Sequence, residues 1–244
     1  MKAGTVVVPA SWSYAYLILT LALLLVWLAL FALRTNLRLS MLWVSSVTAL
    51  LGFIEPLFVP RYWNPYTLFN LARRTGFDLE SLLFSFAIGG IVFAAYHVFF
   101  RMEPGEMVTG ERLSSRHRHH RMAIASAFLV FLLLEIATKL NPIYSSAIGL
   151  AVGFFATLYC RRDLWLKMLA SAGVFFTIYF VFFALFNLAY PGYVKDVWNL
   201  KAISGVLVIG VPLEELMFAF MFGLFWASLY EHLMWREGRH VAPI

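Results

Sequence analysis

Two phrases place acidic side chains where a greasy chain has least use for them. PLEELMFAF runs from Pro212 to Phe220, and a close relative, DLESLLFSF, runs from Asp78 to Phe86. Glu80, Glu214 and Glu215 head these phrases, and IEPLFVPRYWNP adds a fourth carboxyl, Glu55, beside Arg61, Tyr62 and Trp63. Helical pitch aligns Glu214 with Phe218, Met221, Phe222 and Phe225, and Glu80 with Phe84, Ala87, Ile88 and Ile91, so each carboxyl is expected to share a face with aromatic and soft apolar groups. Glu214 and Glu215 lie about 100° apart around a helix and cannot point along one line. One is expected to enter a cavity while the other orients it or meets a cation. A carboxyl shut away from water keeps its proton and is an acid toward a weak base such as a carbon–carbon double bond. Aromatic faces, here Phe84, Phe218, Phe222, Tyr62 and Trp63, stabilise the resulting carbocation, and a second carboxylate takes a proton away to finish. The net change is a redox-neutral isomerisation.

The elements that position these groups are membrane helices. Of 244 residues, 62% are hydrophobic and only 13% charged, a balance that excludes a water-soluble domain. Seven continuous apolar runs of membrane-spanning length are expected at 12–33, 41–59, 79–100, 122–138, 143–160, 164–188 and somewhere within 203–230. Barrel strands would alternate apolar and polar residues over short segments, so helices are the solution to backbone hydrogen bonding here. The first run ends at Arg34 without a small-residue cleavage site and is followed at once by another span, so it reads as a retained helix rather than a leader.

The doubled phrase is part of a longer repeat. The offset that carries Glu80 onto Glu214 also pairs Leu79 with Leu213, Leu82 with Leu216, Phe84 with Phe218, Phe86 with Phe220, Gly89 with Gly223 and Tyr96 with Tyr230. It lays the second span on the sixth and the first on the fifth. One residue of slack brings Trp63-Asn64 onto Trp198-Asn199. The expected fold class is therefore all-α integral membrane, with seven transmembrane helices as two parallel three-helix repeats joined by a linking helix (3+1+3). Residues 1–121 form the first repeat plus a basic loop, 122–140 the linking helix and 141–244 the second repeat. The same repeat argues that the last helix starts near Pro212.

With the N-terminus outside, the inner loops and tail collect Arg34, Arg38, Arg101, Arg112, Arg116, Arg118, Arg121, Arg161, Arg162, Lys167, Arg236 and Arg239. Lys2, Arg61, Arg73, Arg74, Lys139, Lys195 and Lys201 remain outside, a bias that favours a multi-pass cell-membrane protein with a cytoplasmic C-terminus. All four glutamates then lie toward the outer side. The net charge of +6 reads as anchoring to anionic lipid, with no nucleic-acid partner. Cys160 has no second cysteine with which to form a disulfide or a thiol metal site.

Each feature also has a plainer reading. Pro212 and a first-turn acid suit any helix start, so Glu80, Glu214 and Glu215 are each, taken alone, caps. Four carboxyls converging among phenylalanines in a membrane argue for function. Glu135 is expected to pair with Lys139 one turn away. The RHRHHR run at 116–121 reads as a solvated loop before a helix rather than a metal site. Tyr62 and Trp63 are first of all interfacial belt residues.

The stretches GVPLEELMFAFMFGLFWASLYEHL, from Gly210 to Leu233, and EPLFVPRYWNPYTLFNLARRTGFDLESLLFSFAIGGI, from Glu55 to Ile91, resemble the lycopene cyclase domain of heterodimeric or fused carotenoid cyclases. That family carries Pro-x-Glu-Glu at the head of a helix in each half. Pro212, Glu214 and Glu215 match it, whereas in the first half Asp78 stands for the proline and Ser81 for the second acid. The resemblance covers nearly the whole chain. It implies a lycopene cyclase-type intramolecular lyase or isomerase of carotenoid biosynthesis that protonates the end of lycopene or a related linear polyene and closes an ionone ring without a flavin. On this reading Glu214 leads as acid, Glu80 is its counterpart in the other half, and Glu55 and Glu215 act as base or positioning groups.

No cofactor or metal is expected, since nucleotide loops are missing. The expected partners are the lipophilic polyene, membrane lipid, and a second copy or other carotenoid-pathway enzymes. Small parallel-repeat transporters share the 3+1+3 plan but rely on prolines in the first and fifth helices, which are missing here. The last span has no lysine for a retinal Schiff base, and the aspartates are too scattered for the magnesium motifs of a prenyltransferase. A non-catalytic carotenoid- or lipid-binding protein would keep the aromatic cavity and tolerate loss of the carboxyls.

Overall fold

A computed structural model describes residues 10–240. Lys2 and both ends of the expected outer units lie outside the described residues. Seven helices are long and apolar enough to cross a membrane: α1 (Trp12–Leu33), α2 (Thr35–Leu57), α3 (Leu79–Phe99), α4 (Ser115–Ala137), α5 (Pro142–Cys160), α6 (Arg162–Ala189) and α7 (Leu213–Leu233). The chain is thus a multi-pass, all-α membrane protein. Each expected span is present, with earlier starts for α2 and α4. The RHRHHR run is accordingly not a loop. It forms the first turns of α4, because a 3-10 segment at Ser115–His119 leads straight into the helix, with His120 buried.

The last span begins at Leu213, where the repeat argument places it. The residues before it form a hairpin of β2 (Leu207–Val208) and β3 (Val211–Pro212), following β1 (Met102–Glu106) in the chain. Its two-residue turn, Ile209-Gly210, has positive φ at both positions, 52° and 78°, the geometry that matches strand twist in a tight hairpin.

The bundle is apolar on its outer surface as well as in its core. Leu133, Ile136, Phe155 and Leu188 face outward, while Thr48, Ser45, Ser145 and Ser171 are buried. Buried hydroxyls satisfy indoles: Trp27 Nε1 donates to Ser45 Oγ at 2.8 Å, and Trp226 Nε1 donates to Thr48 Oγ1 at 2.7 Å. In lipid such pairing replaces the water these groups lack.

α1 and α2 pack on α3, α5 and α6 pack on α7, and α4 lies along α5. Close approach depends on small residues. A Cβ at Gly89 would lie 2.0 Å from Thr48 Oγ1, and one at Gly223 would lie 2.6 Å from Ala172 Cα.

Backbone pairing joins the halves at both ends of the bundle. At one end Trp63 and Trp198 form an antiparallel bridge, with Asn64 N–H donating to Val197 O at 2.8 Å and Asn199 N–H to Tyr62 O at 2.9 Å. At the other, β1 pairs antiparallel with β4 (Arg236–His240), Pro104 opposite Gly238. The arginines closing α1 and α5 sit alike there. Arg34 donates to the carbonyls of His97 and Met102, and Arg161 to those of Glu231 and Arg236.

Candidate functional site

α3 and α7 start in similar ways and aim their first-turn acids differently. Asp78 caps α3, its Oδ1 accepting from Ser81 N–H at 2.6 Å, while Pro212 precedes α7. Burial pushes the Asp78 carboxyl up to about 6. Glu80 turns back toward the preceding loop, its Oε1 accepting from Leu68 N–H at 2.6 Å. Glu214 does the same in the second half, accepting from Ser204 N–H at 2.8 Å and Tyr144 O–H at 2.7 Å. Neither lines the central cavity.

The cavity face is one residue further on. Glu215, Phe218, Phe222 and Trp226 face it from α7, and Ser81, Phe84, Ser85 and Ile88 face it from α3. The alignment of Glu214 with Phe218 and Phe222 is therefore corrected by one helical position. The aromatic column belongs to Glu215, about 100° around the helix. In the first half the matching position holds Ser81. Its Oγ is 3.1 Å from Asp78 Oδ2 and 3.0 Å from Tyr16 O–H.

Glu215 is buried and accepts from Tyr62 O–H at 2.7 Å, Tyr179 O–H at 2.5 Å and Trp198 Nε1–H at 3.0 Å. Three donors thus converge on one carboxyl group. Burial first, then the neighbouring Glu215 charge, push the Tyr62 phenol well above its ordinary value and keep it a donor. Glu55 reaches the same cavity from α2, whose end, Leu50–Leu57, is 3-10 and contains Pro56. It accepts from Trp63 Nε1–H at 2.6 Å. The two indoles lie against each other with ring centroids 5.1 Å apart.

The cavity has a volume of about 180 Å³. Phe84, Phe218, Phe222, Tyr62 and Trp63 all line it, as do Phe128 and Phe131 of α4 and Ile143 and Leu150 of α5. Phe218 stacks on Phe222 at 5.4 Å and Phe222 on Trp226 at 5.1 Å, giving an apolar wall of ring faces. Such a surface attracts a cation without offering it a nucleophile.

Tyr179, Trp198, Tyr16 and Ser81 were not among the site residues expected from sequence. Trp198 carried a signal, its pairing with Trp63 in the repeat. Tyr179 is one of several polar residues in an apolar span, with Ser171, Thr177 and Asn187, and carried little. Glu135 does not pair with Lys139, because α4 ends at Ala137 before Lys139 can complete the turn. Its partner is Arg61, with Nη1 2.5 Å from Oε2. At the opposite end Lys167, His97 and Glu231 form a buried polar cluster, His97 Nε2 lying 2.9 Å from Glu231 Oε1.

Residues 141–233, from the residue capping α5 to the end of α7, match the family model described as Lycopene cyclase. No curated protein and no solved structure matches the chain. The matched segment contains Glu214, Glu215, Tyr179, Trp198 and the phenylalanine wall, so the carboxylate with three hydrogen-bond donors lies in the part of the chain that is similar to lycopene cyclases.

Proposed function

We propose that the protein is a carotenoid cyclase performing a redox-neutral, acid/base cyclisation at the end of lycopene or a related linear polyene. The observation that carries this reading is that Glu55 and Glu215 line one aromatic cavity, each held by the indole of a paired tryptophan. Glu55, less fully hydrogen-bonded than Glu215, supplies the proton to a terminal double bond. A tertiary carbocation forms, and the next suitably placed double bond attacks it, making the ring carbon–carbon bond and moving the positive charge onto the ring. The faces of Phe218 and Phe222 and the Glu215 anion stabilise that charge. Loss of a ring proton to Glu215 restores neutrality, and its return to Glu55 closes the cycle. Substrate and product have the same mass, and no electron is gained or lost.

In this reading Glu80 and Glu214 are positioning residues that hold the loops before α3 and α7. The acid role thus moves from Glu214 to Glu55, and its neighbour Glu215 becomes the base. The two halves act as parallel three-helix repeats about a local two-fold axis, with α4 as linker. Supporting this are the reciprocal bridge at Trp63 and Trp198, the β1–β4 pair, and the like placement of Arg34 and Arg161. The arginine distribution supports the N-out, C-in orientation.

Expression in a lycopene-accumulating bacterial host, with pigments analysed by chromatography and mass spectrometry, tests the function. Cyclised products of unchanged mass, lost on Glu215→Gln, are expected. Unaltered lycopene from folded, membrane-inserted protein would overturn it.

A further inference from the structure

At the Arg161 end of the bundle, far along the chain from the carboxylates, the start of α4 meets the end of α5. His117 and His120 lie one turn apart on α4, and Cys160 is the last residue of α5. His117 Nδ1 is 3.3 Å and His120 Nδ1 3.5 Å from Cys160 Sγ, and the three atoms lie within 4.8 Å of one another. A tetrahedral metal with N and S ligands separates its donor atoms by about 3.3–3.7 Å. The spacing is already close to that.

The surroundings of His120 orient it as a ligand. Its Nε2 lies 2.8 Å from the carbonyl of His232, so that nitrogen carries the proton and donates. Nδ1 is left as a lone pair toward the sulfur, the arrangement a metal-bound histidine takes when its other nitrogen is held by a carbonyl. Trp235 stacks on the buried ring at 3.9 Å and 10°, fixing its plane. Arg161, the cation next to Cys160, is occupied by both Asp163 oxygens at 2.8 and 2.6 Å.

We propose that His117, His120 and Cys160 form a binding site for a borderline-soft divalent cation of the zinc class, which ties the start of α4 to the end of α5. Two imidazoles and a thiolate suit such an ion and do not suit calcium or magnesium, which take oxygen ligands. Binding forms one metal–sulfur and two metal–nitrogen bonds and releases the Cys160 thiol proton to solvent. The fourth tetrahedral position remains for water. The site does not depend on the cyclase reading.

The test uses the full chain in detergent, stripped with chelator and titrated with Co²⁺, then Zn²⁺. One equivalent of Co²⁺ is expected, with tetrahedral d–d bands and a sulfur-to-cobalt charge-transfer band that Zn²⁺ abolishes. Cys160→Ser should remove the charge-transfer band, His117→Ala should weaken binding about tenfold or more, and His119→Ala should leave both unchanged. Should Cys160→Ser fail to fold, protection of Cys160 from alkylation by bound Zn²⁺, lost in His117→Ala, decides the matter. No bound cobalt, or a spectrum unaltered in both Cys160→Ser and His117→Ala, would overturn the site and leave a hydrogen-bonded cluster.

Discussion

Trp63 and Trp198 stand opposite each other in an antiparallel bridge, ring centroids 5.1 Å apart at 44°, and each donates its indole N–H to a carboxylate of its own half. Trp63 holds Glu55 and Trp198 holds Glu215. The pair does two things at once. It closes one end of the cavity with aromatic surface, and it fixes two acids whose surroundings differ. Glu215 receives two phenols besides its indole, whereas Glu55 receives the indole of Trp63. That inequality is what an acid/base pair requires.

Glu215→Gln and Glu55→Gln should each lower kcat for cyclisation by about 10²-fold or more, the scale of a lost general acid or base. Glu80→Gln and Glu214→Gln keep an oxygen that can accept from Leu68 or Ser204 N–H and should retain turnover while losing about 1–3 kcal/mol of stability. Product formation per folded enzyme, set beside thermal unfolding of the same preparations, separates the two classes. Loss of turnover confined to Glu214→Gln would return the lead to that residue.

Tyr179→Phe removes one of the three donors to Glu215. An unmet hydrogen bond to a buried charge costs about 1.5–3 kcal/mol, so a fall in kcat of roughly tenfold or more is expected, with KM changed little. The ratio of kcat to KM effects is the readout.

Helix contact at Gly89 leaves no room for a methyl group, since its Cβ would sit 2.0 Å from Thr48 Oγ1, which also accepts from Trp226. Gly89→Ala should cost about 1–3 kcal/mol by overpacking, and Thr48→Ala in the same chain should recover part of it. Thermal stability of the single and double variants in detergent measures this.

Asp78 carries a pH signature. Burial holds its folded-state value at about 6, above the ordinary aspartate value. Between those values the folded state binds the proton more tightly than the unfolded chain. Stability is therefore full below the ordinary value and is lost as pH rises through about 6. Asp78→Asn, which keeps a capping oxygen, should flatten that dependence. Melting temperature followed across this window is the measurement.

Cysteines placed at Pro104 and Gly238 should cross-link, because opposed residues of an antiparallel pair have Cα atoms about 4.5–5.5 Å apart and disulfides accept that separation. In intact cells the single Pro104→Cys variant should react with a membrane-impermeant maleimide only after permeabilisation. Labelling without permeabilisation would reverse the proposed orientation.

Hydropathy alone located seven spans, because lipid demands uninterrupted apolar length whatever the neighbours are. The doubled phrase likewise marked the heads of α3 and α7 and singled out Glu80, Glu214 and Glu215, and the stretch IEPLFVPRYWNP added Glu55, before any packing was known. Helical pitch made Phe84, Phe218 and Phe222 candidates for one cavity, the stretch around Glu55 added Tyr62 and Trp63, and all five line it. Which of two adjacent glutamates faces that cavity was decided by tertiary structure. A rotation of one residue exchanges Glu214 for Glu215, and only the packing of α7 against α6 and the loop at Ser204 sets it. Partners distant in sequence were equally hidden: Arg61 for Glu135, Tyr179 for Glu215, and Cys160 for the histidines of α4. Tyr179 and Cys160 meet their partners where helices pack on one another, and Arg61 reaches Glu135 from the turn after α2; such contacts are set by packing in three dimensions, which periodicity along one chain does not encode.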